Sequence, residues 1–393
     1  MGDDRRWSRV PARRLTRRQF LVGTGASLLV ACARGIQPQG PTPTPTGPSP
    51  TPASPSPSPT LSDILNFANW PFYIDKKTLR DFRKQYGVNV NYIEEINDNV
   101  EYFAKIREPL SRRQSIERDI IVLTDWMASR LIKLGWLAEL DKDNIPNWTN
   151  LVDTLENPSF DPGRRFSLPW QSGFTGIGYN PKLTGRKLTS VNDIFDPAFK
   201  GHVTMLTEMR DTLGLVLLGM GVAPEEATLE DAEAAVERIK EAVETGQIRR
   251  FTGNDYGPDL VRGDAWVSFA WSGDVVQLKQ DNPDLEWLFP EEGFMFWSDN
   301  MLIPITAEHK FTAETFMNFV YDPKIAAQIA AFVQFVSPVE GVKEELTKID
   351  PALAENPLIV PDPETLARAH IFRPLDPEEE QQFEQLFQSV VRA

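Results

Sequence analysis

From Leu61 onward, hydrophobic and polar residues alternate with the period of a strand in some stretches and with the period of a helix in others. Residues 88–95 alternate between polar and apolar, and residues 119–125 contain an unbroken apolar run, so both stretches are predicted to be strands. Asp75 precedes apolar residues at helical spacing and Gly87 follows them, which predicts a capped helix. Alternating strands and helices predict a parallel or mixed sheet with helices on both faces.

The second half of the chain shows the same alternation. Thr228 precedes an amphipathic helix that is predicted to end at Gly246, and residues 266–271 are predicted to form a strand. Residues 311–336 are predicted to be helical, with a break near Asp322. A chain of 393 residues exceeds what one compact core usually needs, so we expect an α/β fold of two lobes.

The N-terminal segment has the pattern of an export signal. Residues 20–31 are apolar or small, and this stretch is too short to cross about 30 Å of hydrocarbon as a helix. Residues 16–21, TRRQFL, resemble a twin-arginine signal, and residues 29–32, LVAC, resemble the lipobox of bacterial lipoproteins. We therefore predict a signal peptide over residues 1–31, cleavage before Cys32 and lipid on this cysteine.

A proline-rich linker is predicted between this cysteine and the globular part, over residues 32–60. From residue 38 to residue 60, proline alternates with threonine and serine, which favours extended polyproline II structure. At about 3.1 Å per residue this stretch reaches roughly 70 Å. The pattern predicts a globular protein held to a membrane by a semi-rigid stalk.

Composition and motifs argue against several classes of function. The formal net charge of −15 argues against nucleic acid as a partner and is compatible with cationic ligands. His202, His309 and His370 lack metal-ligand spacing, and no P-loop, nucleophile elbow or dinucleotide-binding motif is present in the sequence. We therefore predict no catalytic residue, metal or cofactor. A hydrolase with paired carboxylates stays open, because such a pair can assemble from distant positions.

Aromatic residues beside acids or polar residues are the strongest chemical pattern. They occur in four stretches at predicted strand ends or in loops: NWPFY (69–73), LTDW (123–126), AWSGD (270–274) and FWSD (296–299). Ligands bind at the carboxyl edge of open α/β sheets. Aromatic faces attract organic cations, and carboxylates accept charge-assisted hydrogen bonds from them. Sugar sites also combine tryptophan with acids, so a sugar ligand is the alternative.

Trp297 and Asp299 lie two residues apart in a predicted strand at residues 291–304. Residues i and i+2 of a strand point to the same face. A buried carboxylate without a partner is costly, so Asp299 either pairs with an internal Arg or Lys or receives a ligand.

Several motifs occur in the order of a known family. They are N-W-x-x-Y at 69–73, T-x-x-R-D at 207–211, W-S-G at 271–273 and E-G-x-x-x-W-x-D at 292–299. Over about residues 61–342 the sequence resembles the spermidine/putrescine solute-binding proteins of ABC transporters. The resemblance implies these ligand-binding residues: Trp70, Tyr73, Thr124, Trp126, Glu208, Asp211, Trp271, Trp297 and Asp299.

The sequence departs from the family's pattern at a few positions. Phe72 stands where the family can carry an acid, and Glu208 is expected to substitute for a displaced Asp. Arg210 is expected to be a structural partner of Asp211. Asp274 could supply a further carboxylate, although a solvated loop position is the more ordinary expectation.

The resemblance also implies an architecture and a role. It implies a two-lobe periplasmic-binding-protein fold of type II, with lobe 1 at residues 61–174 plus 299–342 and lobe 2 at residues 175–298 plus 343–393. The expected function is capture of putrescine or spermidine between the lobes, without catalysis, and delivery to an ABC permease. We expect a monomer anchored through Cys32 on the outer face of the cytoplasmic membrane. The alternatives are a sugar or other small-solute receptor of this fold and, less favoured, the paired-carboxylate hydrolase.

Overall fold

The computed structural model describes residues 60–392 of the chain. The predicted signal peptide at residues 1–31, the lipidation site Cys32 and the linker up to residue 59 lie outside the described residues. In the described range, no helix combines the length and apolar character needed to span a bilayer.

Strands and helices alternate along the described range. The ten strands are β1 (Ile64–Asn69), β2 (Asn89–Glu94), β3 (Ile120–Thr124), β4 (Ser167–Tyr179), β5 (Val203–Leu206), β6 (Ile248–Thr252), β7 (Val267–Trp271), β8 (Glu286–Leu288), β9 (Phe294–Leu302) and β10 (Ala369–His370). The fourteen α-helices in this range are α1 (Lys76–Tyr86), α2 (Asn99–Ser111), α3 (Asp125–Lys133), α4 (Pro181–Thr184), α5 (Met209–Gly219), α6 (Leu229–Glu244), α7 (Gly257–Arg262), α8 (Ser272–Leu278), α9 (Lys310–Val320), α10 (Pro323–Val333), α11 (Val342–Ile349), α12 (Pro351–Ala354), α13 (Pro363–Ala367) and α14 (Pro377–Val391). Short 3-10 helices lie at Lys142–Asn144, Pro146–Asn150, Asp153–Leu155, Val191–Phe195, Pro197–Phe199 and Asn254–Tyr256.

Local capping chemistry sets the helix ends. The Asp75 side chain accepts a hydrogen bond from a backbone N–H in the first turn of α1, and Gly87 ends this helix with a φ of 77°. Thr228 and Asp231 form a capping box at the start of α6. Asp322 caps α10 after the end of α9, which confirms the predicted break.

The sheet has the order β2-β1-β3-β9-β4-β7-β5-β6, with β10 beside β9 and β8 beside β4. β1 is parallel to β2 and β3, and β5 is parallel to β6 and β7. The two central strands, β4 and β9, are antiparallel to each other. On their outer sides, β9 is antiparallel to β3 and β4 is antiparallel to β7. The prediction of a mixed sheet flanked by helices is confirmed.

Two hydrophobic cores lie on either side of the central strands. The first contains buried residues of β1, β3, α1, α3, α9 and α10, and the second contains buried residues of β5, β7, α5, α6 and α14. Leu346, Ala354 and Ile359 belong to the first core. The lobe boundaries given above stay a prediction. Two strands connect the cores: β4, which carries Thr175, and β9, which carries Trp297 and Asp299.

Candidate functional site

A cleft of about 810 Å³ lies between the two cores. Its walls come from the carboxyl ends of parallel strands: Trp70 follows β1, Thr124 ends β3 and Trp271 ends β7. The cleft brings together all nine residues that the sequence predicted to contact ligand: Trp70, Tyr73, Thr124, Trp126, Glu208, Asp211, Trp271, Trp297 and Asp299. Their role in binding stays a prediction.

Asp299 is a buried carboxylate with two neutral hydrogen-bond donors. The Tyr73 hydroxyl donates to its Oδ2 at 3.0 Å, and the Thr124 hydroxyl donates to its Oδ1 at 2.7 Å. Burial raises the pKa of Asp299 from 3.8 to about 7, although both hydrogen bonds act in the opposite direction. Neither partner is basic. Among the described residues, Asp299 therefore does not form the internal pair with Arg or Lys that the sequence analysis gave as one alternative.

Trp297 is held beside Asp299 by its register with β4. Gly173 lies opposite Trp297, and a Cβ atom at Gly173 would come within 2.5 Å of the indole. The indole nitrogen donates to the Thr175 hydroxyl at 3.0 Å. The ring centroid is 5.4 Å from Phe335 and 6.5 Å from Trp271. A glycine in β4 therefore makes room for an aromatic wall.

Asp211 is a second buried carboxylate and lies in the first turn of α5. The Trp271 indole nitrogen donates to its Oδ2 at 2.9 Å. Burial raises the pKa of Asp211 to about 6. Trp271 also makes an edge contact with Trp70 at a centroid distance of 5.8 Å, so an aromatic from each core meets in the cleft.

Arg210 does not take the role that the sequence analysis expected. Its guanidinium donates to Glu380 at 2.6 Å, and the partner of Asp211 is Trp271. The expected pairing of Arg210 with Asp211 is therefore wrong. The physical reason is direction, because neighbouring residues on a helix do not face each other.

Glu208 precedes α5 and is half-buried in the cleft. Burial, followed by the charges of Asp98 and Asp211, raises its pKa to about 8. The Asn99 amide donates to Glu208 at 3.0 Å and to the Thr124 hydroxyl at 2.9 Å. Asn99 therefore connects Glu208 to the group that binds Asp299.

Similarity to known proteins identifies the family. Residues 77–360 match the sequence model of the family described as bacterial extracellular solute-binding protein. The chain belongs to this family. The solute-binding protein is 26% identical over 308 residues to the spermidine/putrescine-binding periplasmic protein of Salmonella typhimurium, covering 78% of this chain and 86% of that one. It is 28% identical over 331 residues to a putrescine-binding periplasmic protein of Pseudomonas aeruginosa, covering 79% and 86%.

Solved structures agree with the fold. A putative spermidine/putrescine ABC transporter protein from Listeria monocytogenes has a TM-score of 0.73 and 25% identity, covering 84% of this solute-binding protein and 99% of that chain. A lipoprotein of Treponema pallidum has a TM-score of 0.71 and 18% identity, with coverage of 84% and 100%, and shows the fold alone. The predicted two-lobe fold of periplasmic binding proteins is confirmed.

Asp274 lines the cleft of the solute-binding protein, where the sequence analysis named it only as a possible further carboxylate. It is half-buried in the first turn of α8, where it accepts hydrogen bonds from Tyr256 at 2.7 Å and Asn254 at 2.8 Å. Burial raises its pKa to about 6. The expectation of a solvated loop is therefore wrong. Its position three residues after Trp271, in the first turn of a helix that directly follows a strand, is the signal that favoured the cleft over a loop.

Trp126 lies among protein cations rather than carboxylates. The guanidinium of Arg210 lies 4.2 Å from its ring centroid and that of Arg130 lies 5.3 Å away. Phe335, which the sequence analysis also missed, instead contacts Tyr73 and Trp297. Phe72 is 64% exposed and contributes no side chain to the cleft lining.

The chemistry of the cleft is that of a cation receptor. Five carboxylates that line it have a pKa raised by burial: Asp125, Glu208, Asp211, Asp274 and Asp299. A bound cation favours the charged form of each of these groups, and the indole rings supply faces that attract ammonium. Over residues 60–392, no cluster of His, Cys, Asp and Glu has the arrangement of a metal site.

Proposed function

We propose that this solute-binding protein captures a polyamine, putrescine or spermidine, in the cleft and delivers it to an ABC permease. The observation that carries the proposal is Asp299, a buried carboxylate in a cleft lined by aromatic residues, whose hydrogen-bond donors are neutral. An ammonium group would compensate this charge. The names of the relatives support the choice of polyamine over other organic cations.

The energetic terms favour a ligand with amines joined by methylenes. Each ammonium over an aromatic face contributes about 0.5–2 kcal/mol, depending on desolvation. A hydrogen bond to a carboxylate contributes about 1.5–3 kcal/mol. Each buried methylene contributes about 0.8 kcal/mol, so the chain between two amines gains from the walls formed by Trp271 and Trp297.

The site of action that we propose is the outer face of the cytoplasmic membrane. The family is extracellular, and the lipobox-like residues before Cys32 support a lipid anchor. The twin-arginine-like residues support export of the folded protein. We further propose a monomer that binds its ligand without turnover.

Calorimetric titration tests this function. The chain from residue 32 onward, with Cys32→Ser to remove lipid attachment, is titrated with putrescine, spermidine, spermine, choline and maltose. We expect saturable one-to-one binding of a polyamine and much weaker binding of choline and maltose. Binding of maltose without any response to the amines would favour the sugar receptor instead and overturn the proposal.

A further inference from the structure

The C-terminal helix α14 places two carboxylates at the edge of the cleft. Glu380 accepts hydrogen bonds from Arg210 at 2.6 Å and forms an ion pair with Arg130 at 3.2 Å. Glu384, one turn later, accepts a hydrogen bond from Arg130 at 2.7 Å. We call these four residues, Arg130, Arg210, Glu380 and Glu384, the clasp.

The clasp joins the two cores of the molecule. Arg130 lies on α3, whose Met127 and Leu131 are buried in the first core. Glu380 lies on α14, whose Phe383 and Phe387 are buried in the second core. Each ion pair between α3 and α14 therefore forms only when the two halves of the cleft are close together.

The clasp is sheltered from solvent. The side chains of Arg210, Glu380 and Arg130 are 12%, 17% and 20% exposed, respectively. Ion pairs in such surroundings are screened less than surface pairs, and removing one partner leaves the other charge uncompensated. Glu380 holds two guanidinium groups, so its loss affects both Arg130 and Arg210.

Over residues 60–392, the other hydrogen bonds between the two halves join no pair of opposite charges. The Thr207 hydroxyl donates to Asp98 at 2.7 Å, and the Asn99 amide donates to Glu208 at 3.0 Å. Each of these contacts pairs an acidic side chain with a neutral donor. The clasp differs because it attracts the halves by charge as well as by hydrogen bonds.

The clasp carboxylates lie beyond the part of the chain that defines the family. The family match ends at residue 360, whereas α14 covers Pro377–Val391. Three clasp members, Arg130, Arg210 and Glu380, also line the cleft. The C-terminal helix therefore adds an acidic group, Glu380, to the cleft from a part of the chain beyond the family match.

We propose that Glu380 is a positioning residue for ligand binding. With Glu384 it holds the two halves of the cleft together, and it neutralises Arg130 and Arg210, which would otherwise repel a cationic ligand at the cleft edge. The second of these roles rests on the proposed function, whereas the first does not. A ligand binds more tightly when the competent arrangement is already populated, so the clasp raises affinity without contacting the ligand.

Distances between two labels test the clasp in the ligand-free protein. In the chain from residue 32 onward with Cys32→Ser, Lys84→Cys on α1 and Glu233→Cys on α6 supply exposed positions, one on a helix of each core, for spin labels. We expect Glu380→Gln to shift the label distances to longer values. Glu378→Gln is the matched control, because it removes the same charge from an exposed position on the same helix.

Affinity and salt dependence supply the second readout. We expect Glu380→Gln to weaken spermidine binding at least fivefold and Glu378→Gln to change it less than twofold. Added salt should lengthen the label distances of the wild type more than those of Glu380→Gln, because the variant keeps only the Arg130–Glu384 ion pair of the clasp.

Each outcome decides one proposal or the other. Label distances that Glu380→Gln leaves unchanged overturn the clasp, whether or not a polyamine binds. Longer distances in a protein that binds no polyamine support the clasp and contradict the proposed function. If Glu380→Gln does not fold, Arg130→Gln removes both ion pairs that join the two cores, and unchanged distances in that variant overturn the clasp equally.

Discussion

Asp299 is the residue on which the binding site depends most. Its carboxylate is 4% exposed, and its two hydrogen-bond donors, Tyr73 and Thr124, carry no charge. A carboxylate in this position is costly in the ligand-free protein and is compensated when a cation arrives. The buried charge of Asp299 therefore explains both the cost in the ligand-free protein and the expected tight binding of a cation.

Substitution of Asp299→Asn is expected to weaken polyamine binding at least tenfold, which corresponds to about 1.4 kcal/mol. The amide keeps the size of the side chain but removes the charge that pairs with the ammonium. Titration calorimetry measures the change. Asp143→Asn, at an exposed position outside the cleft, is the control and should leave affinity unchanged. Equal affinity of Asp299→Asn and wild type would contradict the role of Asp299.

The raised pKa of Asp299 predicts a pH dependence of stability. Its pKa rises from 3.8 to about 7 on folding because the group is buried, so the native state binds the proton more tightly than the unfolded state. The free energy of unfolding that this group contributes is fully present below pH 3.8 and is lost as the pH rises toward about 7.

Chemical denaturation of ligand-free protein checks this sign. As the pH rises from about 4 to about 8, the wild type should lose stability relative to Asp299→Asn, which has no group to titrate. Saturating putrescine should reduce this loss, because the ligand favours the charged carboxylate. A constant difference between the two proteins across this range would show that Asp299 titrates near its ordinary pKa.

At the scale of elements, β4 and β9 position the aromatic wall. Gly173 in β4 lies under Trp297 in β9, and an added Cβ would come within 2.5 Å of the indole and 2.8 Å of Phe335. Side chains in such close contact cannot all keep their rotamers. The wall therefore depends on a residue that is not among those lining the cleft.

Gly173→Ala is expected to lower the free energy of unfolding by roughly 1–3 kcal/mol through overpacking, and to weaken polyamine binding by moving the indole. Denaturant titration and calorimetry measure the two effects. Trp297→Phe in the same chain removes the ring atoms that make the closest contacts, so the double variant should recover part of the lost stability. If the double variant is no more stable than Gly173→Ala alone, the contact between the added Cβ and the Trp297 indole is not the cause of the lost stability.

Much of the element pattern was predictable because its causes are local. Asp75 and Thr228 cap helices where the sequence analysis expected caps, and a helix break occurs near Asp322 as expected, since a side chain and a nearby backbone N–H are enough to fix such ends. The order of strands was not predictable in this way. β9 lies between β3 and β4, and this pairing joins segments far apart in the chain. Burial of Asp274 depends on Tyr256 and Asn254, which local patterns do not bring together.

At the scale of the whole molecule, the acidic groups of the cleft come from both halves. Thr124 and Asp299 lie beside the first core, whereas Asp211 and Asp274 start helices whose buried residues belong to the second core. A ligand with two ammonium groups can compensate a carboxylate on each side, and it then favours the arrangement in which the halves meet. A ligand with one ammonium group compensates only one side.

Putrescine and n-butylamine separate these cases, because both have a four-carbon chain and only putrescine has two ammonium groups. Small-angle X-ray scattering measures the radius of gyration with each ligand at saturation. We expect putrescine to shift the population toward the compact form, whereas butylamine leaves the radius close to that of free protein, since a ligand shifts an equilibrium only by its differential affinity. Equal compaction by both amines would mean that one carboxylate suffices for closure, and Asp299 would then be the group to which closure responds.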